Sequence, residues 1–263
     1  VSDVILPVLY TLFVWWFGTG VIIYLDGLPR WTTRWTLLAA TALTGAAAWG
    51  MVTTADDTTV AGALAGFTYG LIIWGWQEFS FFTGLLTGPR RTPCPAGIKG
   101  WERFRCATEA VLWHELAILA GAVLIVVLTW GADNKMALWT YLVLWGMRQS
   151  AKFNVFLGVR NLNEEFVPDH LAWLTTYFAR RPINLLFPFS VTVSTVIWAW
   201  MVMQAGLHGA IPFEVASWSI LATLMALAVL EHWFLVLPLP AAALWKWSLT
   251  PNHMHPDATD DDP

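Results

Sequence analysis

Residues 60–86 read VAGALAGFTYGLIIWGWQEFSFFTGLL. The run is apolar around most of its circumference and far too long for a strand. A helix that crosses a bilayer needs about 20 mostly apolar residues. Near its end the run carries Gln77 and Glu78, groups that are costly to leave in lipid. It therefore predicts a membrane-spanning helix that turns a polar patch toward protein.

Six more runs of this kind lie on either side, at 4–25, 35–52, 109–130, 136–158, 184–205 and 212–237. The composition agrees. Of 263 residues, 57% are hydrophobic and 12% charged, with a mean hydropathy of +0.57. A soluble domain is about a quarter charged, so a soluble globular protein and a disordered chain are both excluded. Lys and Arg number 14 against 18 Asp and Glu. That leaves no basic excess to neutralise phosphates, which excludes a nucleic-acid binder. The 19 tryptophans suit a membrane–water interface, where an apolar ring carries one N–H donor. The expected fold class is all-α, a polytopic membrane helix bundle of about seven transmembrane helices in contact with lipid. The first run does not read as a secretory signal, because Asp3 stands where a basic region would be and no small-residue cleavage site follows.

Basic residues orient such a bundle. The loops after the first, third and fifth runs hold Arg30 and Arg34, then Arg90, Arg91, Lys99, Arg103 and Arg105, then Arg160, Arg180 and Arg181; Lys246 follows the seventh. The loops after the second, fourth and sixth hold only Lys135. The expectation is a periplasmic N-terminus and a cytoplasmic C-terminus. Residues 1–250 then form one transmembrane domain with cytoplasmic loops at 87–108 and 160–183, and 251–263 form an acidic flexible tail. Residues 160–183 alternate polar groups with Phe166, Leu171, Trp173, Leu174, Tyr177 and Phe178, which predicts an amphipathic helix lying on the membrane surface. Gly62, Gly66 and Gly70 are spaced for close helix packing. Glu109 and Glu214 read as helix-start carboxylates. Cys94 and Cys106 lack zinc spacing and read as free thiols. His253 and His255 in the tail read as a weak, exposed metal-binding pair.

An ionisable layer inside the membrane holds the functional interest. Glu78 falls in the third run, His114 and Glu115 in the fourth, Arg148 and Lys152 in the fifth, and Glu231 and His232 in the seventh. At about 1.5 Å per residue most of them lie about 8–12 Å from the cytoplasmic ends of their helices, with Arg148 at about 15 Å. Three readings stand side by side. Glu78, Glu115 and Glu231 can pair with Arg148 and Lys152, which share a helix face, in a structural ion-pair network. Glu78, His114, Glu115, Glu231 and His232 can ligate iron, manganese or zinc, although the adjacent His-Glu pairs lack the Glu-x-x-His spacing of bundle di-iron sites. Finally, His114 and His232, each beside aromatics, can serve as axial ligands to a tetrapyrrole.

Several long motifs carry a resemblance: RQSAKFNVFLGVRNLNEEFVPDHL (148–171), WGWQEFSFFTGLLTGPRRTPCP (74–95), WHELA (113–117), FVWWFGTGVIIYLDGLPR (13–30) and EHWFLVLPLP (231–240). Together, over about residues 5–250, the chain resembles the PuhE family of purple phototrophic bacteria, also called photosynthetic complex assembly protein 2. The resemblance implies a multi-pass protein of the bacterial inner, intracytoplasmic membrane. It implies an assembly factor for the photosynthetic reaction centre and light-harvesting complex, one that binds or delivers bacteriochlorophyll or modulates its synthesis. Partners would be reaction-centre or light-harvesting subunits, or pigment-biosynthesis enzymes. The family supplies no catalytic residues to carry over. The alternative is an intramembrane metal-dependent enzyme acting on a tetrapyrrole or an isoprenoid.

Overall fold

The computed structural model describes residues 2–162, 164–207, 209–239 and 241–248. The acidic tail, with His253 and His255, lies outside the described residues. Among these residues there are seven α-helices and no strands: α1 (Ser2–Asp26), α2 (Thr33–Thr53), α3 (Val60–Phe82), α4 (Gly100–Leu128), α5 (Met136–Leu157), α6 (Leu186–Ala205) and α7 (Pro212–Phe234). Five of them, α1, α2, α4, α6 and α7, are long and apolar enough to cross a membrane. That makes the chain a multi-pass membrane protein whose apolar helices suit contact with lipid. α3 and α5 are of similar length, enough to span a hydrocarbon core of about 30 Å. Both carry the polar side chains noted above, and both are placed where those side chains meet protein.

α3 and α7 form the buried interior. α3 packs on α1, α5 and α7, and α1 and α5 both reach α7. α2 lies outside α3, α6 outside α7, and α4 against α3 and α5. The beginnings of α3, α5 and α7 share one apolar core built from Ala63, Phe67, Met136, Ala216 and Ile220, with Tyr10 and Val14 of α1 against it. Their other ends carry the polar groups. α3 and α5 touch through glycine: a Cβ on Gly70 would lie 2.6 Å from the Ala137 carbonyl, and one on Gly66 2.8 Å from Met136 Cβ. Gly62 instead faces the loop before its own helix, at Asp57.

Local chemistry explains the starts of α3 and α7. Thr59 caps α3, accepting from the Gly62 N–H at 3.1 Å, as a threonine at that position commonly does. Asp57 accepts from the Thr59 N–H at 3.0 Å and from the Thr59 hydroxyl at 2.7 Å. These bonds favour the ionised form and keep the Asp57 carboxyl below the usual carboxylate range. α7 starts with Pro212, a residue suited to a first helical turn. Glu214 reaches back to accept from the Ile211 N–H at 3.2 Å, the return half of a capping box. Glu109 is different from the expectation. α4 begins at Gly100, so Glu109 is well inside the helix, bound to Arg90 (3.0 Å) and near Arg105 (3.6 Å).

The expected surface helix over 160–183 takes another form. Residues Glu164–Phe166 and Asp169–Tyr177 are 3₁₀ turns in a loop closed at its neck, where Val159 N–H donates to Ala179 and Arg181 N–H donates to Val159. A 3₁₀ helix repeats every third residue. Leu171, Leu174 and Tyr177 therefore stack on one face, buried against Phe81, Cys106 and Ala110 of the bundle rather than against lipid. The loop is locked to its neighbours. Tyr177 Oη donates to Thr92 O (3.0 Å), Thr176 Oγ1 accepts from Cys94 N–H (2.8 Å), and Arg103 donates to Phe156 O (3.1 Å) and Tyr177 O (2.5 Å).

His170 Nε2 closes this contact by donating to Phe82 O at 2.9 Å. Burial, and then the Arg30 charge, hold its pKa below the ordinary 6.5, against the Phe82 bond. Burial acts by disfavouring the charged ring. A histidine depressed in the docked state is protonated more readily once undocked. Its contribution is therefore present above the ordinary pKa of 6.5 and is lost as the pH falls below it. Hydrogen exchange of residues 169–177 is expected to speed up between pH 7 and pH 5, after correction for intrinsic rates. In His170→Gln that acceleration should be lost.

Candidate functional site

α3 presents Glu78 one turn before its end, beside α4 and α5. The carboxyl is buried, 8% exposed. Its Oε2 accepts from Arg148 Nη2 at 2.8 Å, while Oε1 lies 3.7 Å from His114 Nε2. One turn later on α5, Lys152 Nζ donates to Glu115 Oε1 at 2.6 Å, and Gln149 donates to Glu115 Oε2. Arg148 and Lys152 share one face of α5 yet serve different carboxylates.

The two histidines have different surroundings. His232 is held at both ring nitrogens, Nδ1 against Ala228 O and Nε2 against Ser150 Oγ, each at 2.9 Å. His114 is fully buried, its ring 4.5 Å from that of Phe81. Neither of its ring nitrogens makes a hydrogen bond among the described residues. Its backbone N–H donates to Thr87 O at 3.0 Å, which ties α4 to the loop after α3. That approach needs Gly88, where a Cβ would fall 2.0 Å from Glu109 O.

A cavity of about 530 Å³ opens between α1, α3, α5 and α7. Its walls are mainly aliphatic and aromatic, and include Trp15, Ile22, Trp74, Phe79, Phe82, Met147 and Phe234. Four ionisable groups interrupt them: Asp26, Glu78, Arg148 and Glu231. The cavity lies in the second half of all four helices, where the glycines and alanines Gly18, Gly75, Ala151 and Ala228 leave space. Glu231 is an exposed residue of α7 that lines this cavity.

Trp245 covers one wall. The 3₁₀ turn Ala241–Trp245 brings it back to α1, where paired indole bonds fasten the two segments. Trp245 Nε1 donates to Trp16 O (3.0 Å), and Trp16 Nε1 donates to Leu244 O (2.8 Å). Trp15 and Phe166 pack edge-on against the Trp245 ring, at 5.5 and 6.1 Å. Trp247 stacks on Phe17 and covers Gly20.

The ionisable layer read from the sequence thus separates into parts. Glu78, Arg148 and His114 meet one another, and Glu78, Arg148 and Glu231 share the cavity. Glu115 and Lys152 pair apart from it. His114 and His232 are absent from the cavity lining. Among the described residues, no three His, Cys, Asp or Glu side chains are placed to hold a metal ion. The five residues of the metal reading are therefore not gathered. Asp26 and Trp245 belong to the cavity wall without having stood out in the sequence. Asp26 had a signal, as an acidic residue ending an apolar run. Trp245, one of 19 tryptophans, had none.

No solved structure matches the chain. It is 39% identical over 249 residues to a Rhodobacter capsulatus protein described as "Uncharacterized 30.4 kDa protein in puhA 5'region", an alignment covering 93% of this chain and 90% of that one. The family model described as "Protein of unknown function (DUF3623)" matches residues 1–256. A match over nearly the whole length makes this chain a member of the DUF3623 family.

Proposed function

We propose that this chain is an assembly factor for the photosynthetic reaction centre and its light-harvesting complex, belonging to the PuhE family. It works in the bacterial inner membrane as a binder of pigment or pigment precursor. The observation that carries this reading is the intramembrane cavity, with its volume of about 530 Å³. That size falls in the range of small-molecule sites, and apolar walls with a few converging polar groups are the usual composition of one. The puhA-region name of the Rhodobacter capsulatus relative and the family resemblance supply the photosynthetic context. Seven spans, with the N-terminus periplasmic, follow from helix length and from the bias of basic residues. The cavity then lies in the cytoplasmic half of the bilayer, and the interlocked loops around Arg90 and Arg180, with the start of α4 at Arg103, face partner subunits or biosynthetic enzymes.

In this reading the cavity carboxyls and Arg148 meet the ligand. His114 and His232 hold helices in place. Deleting the gene in a phototrophic host tests the role. Reaction-centre and light-harvesting absorbance per cell should fall several-fold and return with the wild-type gene. Unchanged complex levels would refute the assembly role.

A further inference from the structure

The cavity's polar groups are unequal, and the inequality describes its ligand. Resting on the cavity reading above, we infer that Glu231 anchors an apolar molecule that carries one electropositive centre. Arg148 is engaged by Glu78 at 2.8 Å. Glu231 forms no ion pair with Lys, Arg or His among the described residues. Three carboxyl groups and one guanidinium line an otherwise apolar space, so two of the carboxyls there have no guanidinium of their own. A carboxylate in that position gains most from a positive partner, since the low-dielectric walls strengthen the attraction.

Aromatic rings share the cavity wall with Glu231. Trp15, Trp245 and Phe166 form an edge-on cluster. Ring faces attract cations, and aromatic cages recognise them. The neighbouring residue fixes the geometry. His232 Nε2 bonds across to Ser150 Oγ of α5, which fixes how α7 is turned at this level. Glu231 lies about 100° away around the helix, on the cavity. A carboxylate oxygen suits a hard cation such as magnesium, and it suits an ammonium group equally. The shared chemistry is therefore a positive centre on an apolar body, either a metal held in a planar macrocycle or the head of a cationic amphiphile.

The test uses the full chain in phosphatidylglycerol nanodiscs, which contain no amine lipid, with bound probe counted by native mass spectrometry. The probes are magnesium octaethylporphyrin, its metal-free form, dodecyltrimethylammonium and dodecyl sulfate. One positive-centred probe should bind one per chain, at least tenfold tighter than its uncharged or anionic counterpart. Which of the two does so identifies the source. Glu231→Gln should weaken that binding at least tenfold, while the wild-type comparison stands even if this variant folds poorly. Equal binding of the magnesium and metal-free macrocycles, with dodecyltrimethylammonium no better than dodecyl sulfate, would overturn the role of Glu231 and leave the cavity reading intact. No binding of any probe would overturn both.

Discussion

Arg148→Met is expected to destabilise the bundle by about 3–5 kcal/mol, because it leaves a buried carboxylate without its partner. Glu78 is 8% exposed and accepts from Arg148 Nη2 at 2.8 Å. Among the described residues, the other charge-capable group paired with it is His114, at 3.7 Å. Part of the Arg148 side chain is accessible along the cavity, which screens the pair and places the loss toward the lower end of that range. Thermal melting in mild detergent should show a fall of about 10 °C. Adding Glu78→Gln to Arg148→Met should recover most of the loss, since the unpaired charge is then gone. Lys152→Met should cost less, about 1–2 kcal/mol, because Glu115 keeps Gln149 as a donor and is a quarter exposed. Equal losses for the arginine and the lysine variant would mean that burial of the carboxylate does not govern the effect.

Asn184→Ala should cost about 3 kcal/mol through removal of a single small side chain. Asn184 joins the end of α5 to the start of α6. Its Nδ2 donates to Asn154 O and Asn154 Oδ1, each at 3.1 Å, and to Gly158 O at 2.9 Å. Its Oδ1 accepts from the Leu186 and Phe187 N–H groups. Alanine removes the cap, worth about 1 kcal/mol, and leaves buried backbone groups unpaired, at about 1–3 kcal/mol. Asn154 would keep its bonds to Ser150 O and Ser190 Oγ. Asn184→Asp sets the two effects against each other. An aspartate still accepts from the α6 N–H groups but sets its second oxygen against the oxygens of Asn154 and Gly158, so a melt of this variant should fall no higher than that of alanine.

Helix positions are legible in the sequence because apolar runs long enough to cross a bilayer have few alternatives. α3, α5 and α6 lie within a few residues of the expected runs. The start of α4 is not legible, because GWERFRCAT (100–108) is as polar as a loop, and its helical state rests on contacts such as Arg103 with Phe156 and Tyr177. The 160–183 segment departs from its expected form for a related reason. Its apolar residues are spaced for an amphipathic surface, but the surface they meet is formed by the end of α3 and the first half of α4, a contact no local pattern encodes.

In the candidate site, the residue types are legible and the pairings are not. An ionisable group in an apolar run stands out by its cost. Whether it meets a cavity, a partner or a backbone carbonyl depends on helix rotation. Glu231 and His232 are neighbours in sequence, yet one lines the cavity and the other is fixed inside the bundle. Asn184 does carry a signal, as a capping residue type just before an apolar run, but it is hidden among the polar residues of its loop.

The most direct measurement fills the cavity and asks what leaves. Gly75 lines it, and a side chain there would first meet only Ile22 Cδ1, at 3.7 Å. Wild-type protein and Gly75→Phe, purified from a phototrophic host in mild detergent, would be compared by absorption spectrum and native mass. Wild type should carry about one pigment or precursor per chain, and Gly75→Phe should fold as well and carry less than a tenth of that. The same bound mass on both proteins, or none on the wild type, would contradict a ligand-binding cavity.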